Sequence, residues 1–289
     1  MRAPSDTCPI PCTGRIEYLD TLRFLAVALI MFDHFRVQVF APAYGFDILQ
    51  PFFDPPAPSS WILYGYTGKY ALALMCMISG YLIASQAAEK TFSLPSFIIK
   101  RYFRLILPCA AVTLALYILH LILGDPLSVR CTIASAVWPG NDFANPHYWC
   151  IDEFFVGNVL AVLYFTVFPN KAESPNSSGP VSAPVFIKQN APLCLLTILV
   201  FAAGQVWISA CICGALTFQT ARRFHRSFSR WYTVIPAAFC IWWLRRGVYA
   251  PYADITYGRN LLGAALLLTL FASLPVLQNF FDWHGLRIR

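Results

Sequence analysis

Charge is what this chain has least of. Acidic residues number 14 and basic residues 21 among 289, so charged residues make up 12% of the sequence against 58% hydrophobic and 16% aromatic. An ordinary soluble domain, whose surface keeps roughly a quarter of all residues charged, is excluded by that balance. A basic stripe is missing too. The net charge of +7 is spread over short Lys and Arg clusters between apolar runs, which is what positive-inside membrane topology produces, and nucleic acid is excluded as a partner. No cleavable signal peptide is expected, because the first apolar segment follows a polar leader and is too long and too charged for an h-region. No internal repeat is visible.

The ten cysteines lack the spacing of a metal or redox framework. Cys76, Cys109, Cys194, Cys211, Cys213 and Cys240 lie inside apolar segments, where a thiol behaves as a small hydrophobe. Cys211 and Cys213 are too close for a zinc pair, and no metal is expected. Cys131 and Cys150 flank a loop assigned below to the outside, so a disulfide between them is expected.

What remains is an all-α, polytopic transmembrane helix bundle with about seven apolar segments. Residues 1–14 form a Pro- and Thr-containing leader without apolar period, and residues 15–289 form the transmembrane domain. Leu22 to Phe40 is the first expected span, and Tyr70 to Ala88 the second after a proline-rich stretch. Leu105 to Leu123 is the third, stopped by Gly124, Asp125 and Pro126, and a fourth runs from near Trp149 to Phe168. Lys90, Lys100, Arg101 and Arg104 place the link between the second and third spans in the cytosol. That puts the N-terminus in the cytosol and the loop from Leu127 to Tyr148 outside. The sequon at Asn176 would then face the cytosol and stay silent. Leu193 to Phe218 is one long apolar segment that folds as two short pieces or implies a missing helix; Trp231 to Leu244 is short for a span, and Leu261 to Phe281 is a full one.

The first span carries Arg23, Asp33, His34 and Arg36, and ionisable residues inside a span point to function. Arg23 and His34 are eleven residues apart, which on a helix returns them to within ~20° of one face, ~16 Å apart along the axis. They can bracket one long ligand. Asp20 with Arg23 and Asp33 with Arg36, each at i+3, can also simply neutralise one another. The imidazole of His34 is a candidate general base, set against a core histidine satisfied by a carbonyl. Ser79, Gly80 and Tyr81 sit mid-span, where small residues usually allow close packing, and Ser79 has no neighbour to activate it. Arg101 and Arg104 suit a phosphate clamp as well as a topology anchor. Glu153, with Asp152 and Trp149, opens the fourth span as either a functional or a solvated interfacial carboxylate.

In order, Leu19-Asp20-Thr21-Leu22-Arg23, the ten-residue gap between Arg23 and His34, Ser79-Gly80-Tyr81, Arg101 and Arg104 before Pro108, and Trp149 to Phe154 resemble the membrane acyltransferase 3 family. Its members include bacterial surface-polysaccharide acetylases and many fungal proteins, which this chain resembles in particular. The resemblance implies transfer of an acyl group, typically acetyl from acetyl-CoA, to a hydroxyl of a carbohydrate or other acceptor. It implies His34 as the base, with Arg23 holding the donor, Glu153 as the acidic member of the catalytic set, and Arg101 and Arg104 on the CoA phosphates. Two departures stand out. Trp149 to Glu153 is one residue shorter than the family's usual spacing, and the family's closing Gly-x-x-Ser segment and further helix would begin where Arg289 ends the chain, so a C-terminally truncated member is expected. The other readings are a proton-coupled permease using Arg23, Asp33 and His34 as a relay, and an inactive remnant of the enzyme.

Overall fold

The computed structural model describes residues 17–35, 67–87, 93–125, 127–138, 149–168, 183–228 and 261–269. Every regular element among them is α-helix: α1 (Glu17–Phe35), α2 (Thr67–Ala87), α3 (Leu94–Ile122), α4 (Val129–Val137), α5 (Trp149–Val167), α6 (Ala183–Ala202) and α7 (Val206–Phe228), with a further helical stretch over 261–269. Among the described residues, three helices are long and apolar enough to cross a membrane, over Tyr70–Ala87, Leu94–Ile122 and Cys150–Val167. Shorter apolar helices cover Gln189–Ala202 and Val206–Ala221. α1 is not among the three, in keeping with its Asp20, Arg23 and Asp33, and residues 36–40 of its expected span lie outside the described residues.

The chain divides into two units, one of residues 1–85 and 213–289 and the other of 86–212. In the first, α2 is the centre. Ala71, Cys76, Met77, Ile78, Tyr81 and Ala84 are fully buried. α7 approaches so closely at Gly214 that a β-carbon there would collide with the Met77 carbonyl group. Small residues permit this backbone-to-backbone contact, which replaces the hydrophobic drive that lipid does not supply. The Tyr81 ring meets Phe218 edge-on at 5.0 Å, and the Tyr70 hydroxyl donates to the Gly263 carbonyl at 3.3 Å.

The second unit is built on α3. Its 29 residues span ~43 Å, more than the ~30 Å of a bilayer core. Leu105 to Ile122 fills that core by itself, so the turns bearing Lys100, Arg101 and Arg104 belong at its edge. Leu107, Leu114, Ile118 and Ile122 stand exposed, as a face toward acyl chains requires. The helix starts at Ser93 with a proline in its first turn and stops at Gly124, whose φ of 78° closes the end by bonds from Gly124 N–H to the Leu121 carbonyl and from Asp125 N–H to the His120 carbonyl. The same device at Gly204, φ 80°, breaks Leu193 to Phe218 into two helices. Of the two alternatives open for that segment, it takes the first.

The stretch from Leu127 to Tyr148, expected as a loop, is helical in part. It contains α4, which packs on α3 and folds back along it. The Tyr102 hydroxyl, early in α3, donates to the Val137 carbonyl at 2.9 Å, and Trp138 meets Phe155 of α5 at 6.1 Å. The link over residues 123–128 and the nine residues of α4 bring the chain back beside Tyr102. α5 packs against α3, with Tyr102 and Phe155 5.9 Å apart and Arg101 reaching Asn158 further along α5. Cys131 and Cys150 are both free thiols, so the expected disulfide is not formed.

Candidate active site

In the first unit the expected site residues Arg23 and His34 lie on α1. The helix is unbroken from Glu17 to Phe35, so the shared face of Arg23 and His34 is kept. Tyr18, Leu19, Leu22 and Ala26 bury its early turns, while the later turns, with His34 in the last, are exposed. Arg23 pairs with Asp20 at 3.3 Å, both about one-third exposed. This is the mutual neutralisation open to any i,i+3 pair, and at that exposure it contributes little to stability. The Asp33 side chain and Arg36 lie outside the described residues. Ser79, Gly80 and Tyr81 are buried in the centre of α2, which is the close-packing role.

In the second unit Arg101 and Arg104 have different surroundings. Arg104 and Lys100 are exposed, whereas Arg101 is half-buried and turned toward α5. Its Nη2 donates to Asn158 Oδ1 at 3.2 Å, and its guanidinium carbon lies 5.3 Å from the centre of the Phe154 ring. A planar cation satisfies both at once: its edge donates in plane while its face stacks. Asn158 Nδ2 in turn donates to the Phe154 carbonyl, one turn earlier on α5.

Glu153 precedes Phe154, whose ring lies against the Arg101 guanidinium. One side of its carboxylate faces the backbone N–H of Trp207, in the first turn of α7, and its Oε2 is buried without a hydrogen-bond partner. The first N–H groups of a helix have no partner within it, and a carboxylate there also meets the positive end of the helix dipole. The same two helices touch at Gly157, where a β-carbon would meet the Cys211 side chain at 2.9 Å. Among the described residues no cluster of three or more His, Cys, Asp or Glu could hold a metal ion, so none is assigned to one.

The residue passed over in the sequence is Asn158. It is an amide in the middle of an apolar span and fully buried, a position where every polar group needs a partner. One turn past Phe154, it was legible as a group needing a cross-helix contact, though not which one.

A chain made of helices, three of them able to cross a bilayer and one of them with an arginine turned inward near its end, is an integral membrane protein. More particularly, it is an acyltransferase. The acyltransferase-domain model of the acyltransferase 3 family matches residues 16–286, and the chain belongs to that family. Neither the curated proteins nor the solved structures include a significant match.

Proposed function

We propose that the protein transfers an acyl group, acetyl in the first instance, from acyl-CoA to a hydroxyl of a carbohydrate or other small acceptor. The observation that carries this reading is the family match, which covers nearly the whole chain. His34 takes the proton of the acceptor hydroxyl. The freed oxygen attacks the thioester carbonyl, the carbon–sulfur bond breaks, and the CoA sulfur leaves as a thiolate that is protonated to the thiol. Arg23, on the same face of α1, holds the donor along the helix, and Arg101 and Arg104 engage the CoA phosphates at the cytosolic edge. A guanidinium suits that task, because its fork addresses two phosphate oxygens at once. Glu153 is the acidic member of the set.

The test is transfer itself. Membranes containing the protein, supplied with acetyl-labelled acetyl-CoA and a carbohydrate acceptor, are expected to release free CoA and accumulate label on the acceptor, above membranes lacking the protein. Substrate uptake into proteoliposomes that needs no CoA, with no labelled product, would contradict the assignment in favour of a permease.

A further inference from the structure

With Arg101 turned toward α5, the exposed members of the basic cluster on α3 are Lys100 and Arg104, at i and i+4. Residues so spaced share a face, one turn and about 6 Å apart. No carboxylate among the described residues pairs with either. Beside them runs an apolar stripe. Ile99 and Phe103 are each 57% exposed and Leu107 is 63% exposed, and the same i,i+4 spacing makes one line of them, which continues through Leu114 and Ile118 along the face that α3 turns to acyl chains. Phe103 is supported from its own helix and from α4: its ring meets Tyr102 edge-on at 5.6 Å, and the Tyr102 hydroxyl is held by the Val137 carbonyl. The lipid-facing stripe therefore runs two turns past Leu107, with the cations at its flank. Helical side chains lean toward the N-terminus of their helix, and on α3 that direction leads out of the bilayer. The long stems of Lys100 and Arg104 so carry their charges toward the headgroups, while Phe103 and Ile99 remain against the chains. A soluble phosphate would answer the two cations and leave the stripe bare; an anionic phospholipid answers both.

We propose that Ile99, Lys100, Phe103 and Arg104 form a binding edge for anionic phospholipid, with the headgroup phosphate on Lys100 and Arg104 and the acyl chains on Ile99 and Phe103. The inference does not rest on the donor reading. Lys100 has no part in that reading, and Arg104, which does, meets the lipid when no donor is bound.

The experiment titrates the full chain, in nonionic detergent and without CoA, with phosphatidylglycerol or phosphatidylcholine, and reads the affinity of the first bound lipid by native mass spectrometry. The wild type is expected to prefer phosphatidylglycerol. Lys100→Gln and Arg104→Gln are each expected to weaken it about 5-fold, and the pair about 25-fold, with phosphatidylcholine unchanged. Both positions are exposed, so the unfolding midpoints in detergent alone are expected to match the wild type. Arg130→Gln removes an exposed arginine of α4 outside the edge and is expected to leave the preference intact. Inorganic phosphate is expected not to displace the lipid, and Lys100→Gln is expected to bind CoA as the wild type does. Unchanged phosphatidylglycerol affinity in the two single variants would overturn the proposal. An equal loss in Arg130→Gln would trace the preference to net charge and overturn it as well. Displacement by inorganic phosphate would make the edge a free-phosphate site, and a matching loss of CoA affinity in Lys100→Gln would make Lys100 a donor ligand; either result contradicts a lipid edge.

Discussion

At the scale of single residues, the difference between Arg101 and Arg104 matters most. They are three residues apart on α3, yet Arg101 is half-buried against Asn158 and Phe154 while Arg104 is exposed. Charge alone therefore does not describe position 101. Arg101→Lys keeps the charge but loses the planar face and the fork, so it is expected to raise the KM for acyl-CoA about 10-fold while Arg104→Lys changes it far less. Steady-state kinetics of the two variants with acetyl-CoA would check this, and equal effects would contradict the asymmetry. The basic pair was visible as a pair in the sequence because arginines are rare next to an apolar span. Its inequality was not, since which of two neighbouring side chains turns inward depends on α5, 57 residues further on. Arg23 is the opposite case: its partner Asp20 is local, at i+3, and was legible without any fold.

At the scale of elements, the informative feature is α4. The extent of α3, the glycine that ends it and the fourth span could all be read from apolar runs and turn residues, because those signals are local. The return of the chain could not, because nine residues of helix (Val129–Val137) are too few for a periodic pattern to stand out from a loop, and their direction is set by packing on α3. Single cysteines placed at Lys100 and at Val137, in a chain with its native cysteines replaced, are expected to react with an impermeant thiol reagent from the same side of the membrane. Labelling from opposite sides would contradict the return. Helix contacts give a second test. At Gly214 a methyl group would collide with the backbone of Met77, so Gly214→Ala should cost ~1–3 kcal/mol through forced separation of α7 from α2. A lowered unfolding midpoint of the detergent-purified protein would register it, and an unchanged midpoint would contradict so close a contact.

At the scale of the whole molecule, the low charge pointed to a membrane protein and the long apolar runs to helices, in which each segment satisfies its own backbone in lipid. The family match over residues 16–286 then gives the chemistry in outline. What joins that chemistry to particular atoms is the proposal that His34 is the base, a histidine in the last turn of α1 on the same helical face as Arg23. The most direct measurement compares membranes bearing the wild-type chain and His34→Ala at matched protein levels, following label from acetyl-CoA onto an acceptor. The expected result is acceptor-dependent transfer in the wild type and its loss to background in the variant, with CoA binding retained. Equal transfer by the two would contradict the assignment of the base.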